Sequence, residues 1–231
     1  YSKTDSGIDL ATLGAYRSEL LESMIDLELL AQGARASGFK VEETEIEDRL
    51  NQMVDSAGDR GEFEVWMELN GYTQETLRTA LVKEIEAAWM VATIADQVPE
   101  SAEQVHARHI MADSEAEAQE ILALLQEGND FVALARERST DLATRENGGD
   151  LGWFPRGLVA PELENAAFAL QPGQFSGIVV MGEGFHIIQV VEREGARPLS
   201  QEMQLDLGLA LFDRWLEEQR VAAVIERFVS E

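Results

Sequence analysis

The stretch Val98-Pro99-Glu100-Ser101-Ala102-Glu103-Gln104-Val105-His106-Ala107-Arg108-His109-Ile110-Met111-Ala112 divides this 231-residue chain into two textures. Pro99 ends the helix before it, and the short polar run around it marks a domain boundary. Beyond that point the period switches. Ala107, His109 and Met111 alternate with Arg108, Ile110 and Ala112, which is the two-residue repeat of a strand. Ahead of it, nearly everything from residue 8 to 97 reads as helix.

Toward the N-terminus, Leu20, Met24, Leu27 and Ala31 recur at helical spacing within a helix predicted over Leu10 to Ala36, and Gly38 stands where a left-handed C-terminal cap falls. Thr44 with Glu47 three residues on predicts a capping box that opens a second helix burying Ile46, Leu50 and Met53 or Val54. Ser56-Ala57-Gly58-Asp59-Arg60-Gly61 breaks it. A short helix over Glu62 to Leu69 stops at Asn70-Gly71, and Thr73 starts another with Leu77, Leu81, Ile85, Ala88, Val91 and Ala95 along one stripe.

Toward the C-terminus, Ser114 and Glu117 predict a further capping box ahead of Ile121, Leu124 and Leu125, with Gly128 closing that helix and another over Phe131 to Arg138. A Gly-rich segment, Asn147-Gly148-Gly149-Asp150-Leu151-Gly152, follows. Pro161 suits the first turn of a helix to Ala169, and Gln171-Pro172-Gly173 is a turn. Two strand-like runs, Ser176 to Met181 and Phe185 to Arg193, predict a hairpin through Gly182-Glu183-Gly184. Past Pro198 the chain is helical again, with Leu205, Leu209, Phe212 and Leu216, then Val224, Ile225 and Phe228, on a broad apolar stripe. Such a stripe needs a partner, and the N-terminal helices are the expected one. Residues 1–98 plus 199–231 are therefore expected to form one helical domain, interrupted by an α/β insert at residues 103–196.

Composition narrows the function classes. A formal charge of −26, from 18 basic and 44 acidic side chains, repels nucleic acid and anionic lipid alike, and serves either solubility or as an acidic cradle for basic unfolded chains. With no Cys, disulfides, thiol catalysis and iron–sulfur clusters are excluded. That absence leans mildly toward an exported protein. No window approaches the roughly 18 consecutive apolar residues of a membrane span. The chain opens at Tyr1 rather than Met, so the expectation is a processed or trimmed chain, and any export signal or lipid anchor would lie upstream.

Few residues offer chemistry. No HExxH or other ligand pair at helical spacing supports a metal site, and neither a GxSxG elbow nor a phosphate-binding Gly loop is present. Of the three His, His109 and His186 sit in strand-like runs, whereas His106, three residues from His109, faces the other side of its strand and reads as structural or solvent-exposed. A His in a strand is more often a hydrogen-bonded core or surface residue than a catalyst.

The insert nonetheless carries an ordered series of short motifs. They are Val105-His106-Ala107-Arg108-His109-Ile110-Met111, Phe131-Val132-Ala133-Leu134-Ala135 through Ser139-Thr140-Asp141, Gly148-Gly149-Asp150-Leu151-Gly152-Trp153-Phe154, Arg156-Gly157, Ala167-Phe168-Ala169-Leu170, Pro172-Gly173, Ser176-Gly177 and Gly184-Phe185-His186-Ile187-Ile188. In order and spacing they resemble a parvulin-type peptidyl-prolyl cis-trans isomerase (rotamase) domain from end to end. The flanks, through Leu20-Leu21-Glu22-Ser23-Met24-Ile25-Asp26 and Glu28-Leu29-Leu30, resemble the SurA/PrsA type of extracytoplasmic chaperone. The Asn-Gly strand and turn that such proteins carry before their first helix is not recognisable in residues 1–10.

The resemblance implies an α+β chain: a four-stranded, mostly antiparallel sheet wrapped by helices, inserted in an all-α SurA N-terminal-like chaperone domain. It implies His109 and His186 as the paired central histidines and Asp141 at the position filled by Cys or Asp, these three acting in catalysis. Val159 and Leu163 fall where Met and Phe commonly line the proline pocket, with Leu151 and Phe154 nearby. The missing aromatic implies a weaker proline grip. Asp113 and Glu115 stand where phosphate-directed parvulins are basic, so phosphoserine-Pro specificity is not expected. The expected function is isomerisation of Xaa-Pro bonds and chaperoning of unfolded, proline-containing clients outside the cytoplasm, with no metal, small-molecule cofactor or nucleic acid. A homodimer through the helical domain is a further expectation. The alternative is a catalytically silent parvulin fold that only holds peptides.

Overall fold

The computed structural model describes residues 10–182 and 184–227. The chain divides into two compact units, one of residues up to Gln97 together with those from Leu211 onward, the other Val98–Ala210.

The first unit holds α1 (Leu10–Ala36), α2 (Glu43–Ala57), α3 (Arg60–Leu69) and α4 (Gln74–Ala95), joined by the C-terminal part of α8 (Gln201–Ala222). Gly38, at φ 85°, closes α1 as expected: its N–H bonds the Arg35 carbonyl and the Phe39 N–H bonds that of Ala34, a Schellman pair that satisfies two terminal carbonyls. Thr73 caps α4 through a reciprocal bond pair with Thr76. The expected Thr44–Glu47 box is absent, because α2 already begins at Glu43 and Thr44 lies inside its first turn.

The single apolar stripe expected along α4 is corrected. Leu77, Leu81 and Ile85 pack with Ile46, Phe63 and Met67, but farther along it is Ala87, Met90 and Ile94 that are buried, against Leu30 and Ala34 of α1. Ala88, Val91 and Ala95 are exposed. One helix thus buries two different faces in its two halves, a change that a single period cannot encode. In α1, likewise, Leu20 and Met24 are exposed and burial sits at Leu29, Leu30, Ala31 and Ala34. In α8 the expected Leu205 and Leu209 face solvent, whereas Leu211, Phe212 and Trp215 pack on the Leu30–Met90 cluster. Val224 and Ile225 follow the end of the helix, and Phe228 lies outside the described residues.

The second unit is built on β1 (Ser101–Ala112), β2 (Asp150–Pro155), β3 (Val179–Met181) and β4 (Gly184–Pro198), in the order β2-β1-β4-β3 with every pairing antiparallel. Helices α5 (Glu115–Gln126) and α6 (Phe131–Arg138) cover one face of the sheet, packing Ile121, Leu125, Phe131 and Leu134 on Ile110, Ala112 and Ile187. On the other face, α7 (Pro161–Ala169) packs Leu163, Ala167 and Phe168 on Val105, Ala107, Ile188 and Val190. Ser114 caps α5 by accepting the Glu117 N–H, but the return bond of the expected box, from the Glu117 side chain to the Ser114 N–H, is not formed. The run expected as a strand from Ser176 is irregular before Val179, where the Ser176 hydroxyl accepts the Ile188 N–H in place of a backbone carbonyl. Glu183, in the expected hairpin turn, lies outside the described residues. The Gly-rich segment proves to lead into β2, a strand its composition concealed.

At Gly33 of α1, an added Cβ would meet the Trp215 ring at 2.5 Å, so this position must stay bare for α8 to dock. Gly33→Val is expected to destabilise the helical unit by about 2 kcal/mol, because overpacking outweighs the gain in helix propensity. Denaturant unfolding of the full chain measures this, and Gly33→Val with Trp215→Leu should recover most of the loss.

Candidate active site

His109 lies on β1 and His186 on β4, each beside the other's strand: His109 pairs with Ile188 and His186 with Met111. In a strand alternate residues share a face, so both rings project on the side of Ala107, Ile188 and Val190. They are 7% exposed each, with ring centroids 5.2 Å apart and their Nδ1 atoms 3.2 Å apart. Asp141 arrives from the loop after α6, its Oδ2 2.7 Å from His109 Nε2. The three polar residues singled out in the sequence therefore form one hydrogen-bonded chain.

Three residues that sequence reasoning passed over hold this chain in place. The Thr144 hydroxyl donates to Asp141 Oδ2 at 2.5 Å and stands 3.2 Å from His109 Nε2. Its only signal was the Asp-x-x-Thr spacing, which suits a tight turn. Ser139 is buried, its Oγ accepting the N–H groups of both Met111 and Asp141, which ties the loop to the end of β1. Gly149, at φ 78°, accepts the His109 N–H at 2.8 Å, and a Cβ there would sit 1.9 Å from the His109 carbonyl oxygen. Only Gly permits that approach.

Burial by itself would raise the Asp141 pKa, but the Thr144 hydroxyl, His109 and the Ala143 N–H together bring it down to about 2. An anion at Asp141 requires a hydrogen on His109 Nε2. In a neutral ring the lone pair is then on Nδ1, which makes His186 Nδ1 the donor between the rings. Two imidazolium rings would set N–H against N–H, so the pair holds at most one extra proton. Burial, then the neighbouring His109, push the His186 pKa below the ordinary 6.5, with the Met181 carbonyl and the Asp141 charge opposing. At neutral pH the His186 ring is uncharged.

The four apolar residues assigned to a proline slot fall in one cluster. Phe154 and Leu163 are buried within it, while Leu151 and Val159 are half-buried against it, with Val179 and Met181 alongside. His106 stands on the opposite face, stacked on Trp153 at 5.6 Å and bonded to Asp150. Among the described residues no group of His, Asp and Glu is arranged to hold a metal, and no helix is long and apolar enough to cross a membrane.

Stability should depend on pH through two of these groups. An unfolded chain takes up the His186 and Asp141 protons at higher pH than the folded one, so lowering pH favours unfolding. Loss is expected first as pH falls below about 6.5 and again below 3.8, and Asp141→Asn should flatten the second step in acid titrations of the melting temperature.

Residues 101–192 match the family "Rotamase: PPIC-type PPIASE domain". The chain is 34% identical over 175 residues to foldase protein PrsA of Caldanaerobacter subterraneus, covering 75% of this chain and 56% of that protein. It is 30% identical over 201 residues to foldase protein PrsA 4 of Bacillus cereus, covering 84% and 68%. Two crystal structures of peptidylprolyl isomerase (PrsA), each 25% identical, share the architecture: that from Bacillus cereus has a TM-score of 0.57 over 99% of this chain and 93% of its own, and that from Bacillus anthracis 0.53 over 90% and 100%. With an all-antiparallel four-stranded sheet, a joined His–His–Asp chain and a relative matched over two thirds of its length, this chain belongs to the PrsA foldase family and carries a PPIC-type peptidyl-prolyl cis-trans isomerase domain.

Proposed function

We propose that the second unit catalyses Xaa-Pro isomerisation without covalent chemistry, using His109, Asp141 and His186 as its polar centre and Leu151, Phe154, Val159 and Leu163 as its proline slot. The observation that carries this reading is the continuous Asp141–His109–His186 hydrogen-bond chain at the end of an apolar column. Rotation about the bond breaks nothing and faces a barrier of about 18–20 kcal/mol set by amide resonance. An apolar slot that takes the pyrrolidine ring removes water from the amide. A fixed imidazole pair then meets the twisted amide without reorganising. The side chains act by orientation and electrostatics, so the silent-holdase alternative is not favoured.

The helical unit is proposed to hold unfolded, proline-containing clients, without nucleic acid or a small-molecule cofactor, in an extracytoplasmic setting. The acidic charge of −26, the absence of Cys and the family support this. Tyr16, Leu20 and Met24 repeat every four residues on the exposed side of α1 and support association with a second copy through that unit. Sedimentation velocity is expected to show a dimer that Leu20→Glu with Met24→Glu converts to monomer; an unchanged state would reject the dimer.

The isomerase reading is tested by cis-to-trans rates on Xaa-Pro tetrapeptides. Wild type is expected to accelerate isomerisation, and Asp141→Ala to lower kcat/KM by roughly tenfold or more through loss of the fixed tautomer. Activity should be flat through neutral pH and fall only below 6.5, as His186 protonates. Rates at the spontaneous value would reject catalysis.

A further inference from the structure

The third histidine takes no part in the hydrogen-bond chain described above, yet it faces the irregularity in the β1–β2 ladder beside that chain. In the β1–β2 ladder Ala107 pairs with Gly152 and Arg108 with Asp150, so Leu151 is an extra residue on β2, a bulge. Gly152, at φ 73°, supplies the left-handed backbone the bulge needs. The residue set out of register is Leu151, at the rim of the proposed slot. Two residues earlier, the Gly149 carbonyl accepts the His109 N–H. A single local distortion therefore sets both a slot wall and a backbone anchor of a central histidine.

Asp150 spans that distortion. Its Oδ1 accepts the Gly152 N–H at 3.0 Å and lies 2.7 Å from His106 Nε2 on the neighbouring strand. Burial alone would raise the Asp150 pKa, but these two donors, with Arg108 nearby, lower it and keep the acceptor an anion. The His106 ring stacks at an incline of 28° on Trp153, its partner across the ladder, and the Arg197 guanidinium covers the same indole at 4.2 Å. The imidazole thus cannot swing away from Asp150 without losing its stack.

We propose that His106 and Asp150 are a positioning pair for the isomerase site: from the back of the sheet they lock the β2 bulge, and through it set Leu151 in the slot and the Gly149 carbonyl on the His109 N–H. Neither residue touches substrate. The inference rests on the isomerase reading only for its effect on rate; its effect on the backbone stands apart.

Two variants separate the parts. His106→Phe keeps a ring on Trp153 and removes the donor. Asp150→Ser keeps a local acceptor for the Gly152 N–H but is too short to reach His106. In each, amide hydrogen exchange at His109 is expected to quicken about tenfold, while the Ile188 and Val190 amides, on the β4 side, keep their protection. On Xaa-Pro peptides, KM should rise about threefold or more with a smaller fall in kcat, since the slot wall loosens before the polar centre does. The double variant should be no worse than either single one. Unchanged His109 exchange, or a loss spread evenly over the whole sheet, would overturn the proposal. Wild type without catalysis would remove the isomerase reading and leave the exchange result to decide the pair's role at the bulge.

Discussion

The antiparallel register between β1 and β4, running from Ser101 opposite Pro198 to Ala112 opposite Phe185, is the constraint on which the site depends. Side chains alternate along a strand, so a one-residue slip would send His109 and His186 to opposite faces and end their contact. Two unlike cores guard against that slip. Ile110, Ala112 and Ile187 must meet α5 and α6, and Val105, Ala107, Ile188 and Val190 must meet α7. Because both faces are covered, neither strand can shift without exposing apolar side chains and burying polar ones.

Given the register, the chemistry proposed for the site follows from hydrogen-bond bookkeeping rather than from a reactive group. Asp141 is held as an anion by three donors; it fixes the proton on His109, and His109 fixes the proton on His186. A buried chain of this kind is stiff, since breaking any link strands a polar atom away from water. In the proposed mechanism that stiffness serves amide rotation, in which no bond is made and the gain comes from groups already held in place. The loop that brings Asp141 is in turn pinned to β1 by Ser139, and β2 is pinned by Gly149. The site is therefore an extension of the sheet and its loops, held at several points.

The helical unit follows a different rule. There α4 serves two clusters in succession, and Gly33 leaves room for the Trp215 ring of the chain's last helix at the second of them. Helix α8 buries no residue completely, so its hold comes from a few large side chains, Phe212 and Trp215 above all, and not from a continuous stripe.

Much of this was legible from local pattern. The helices, the strands β1 and β4, the left-handed Gly38, the Thr73 and Ser114 caps and the span of α6 depend on residues within a few positions of one another, and local rules read them correctly. His109, Asp141 and His186 were found only through family motifs, since 32 and 77 residues separate the bonded pairs and no periodicity links them. What tertiary structure alone decided was which face each helix buries, that Leu20, Met24, Leu205 and Leu209 stay in solvent, and that Thr144, Ser139 and Gly149 surround the His–Asp chain. The physical reason is that an element's type is set by its own backbone and side chains, whereas its buried face and its hydrogen-bond partners are set by whatever distant segment packs against it.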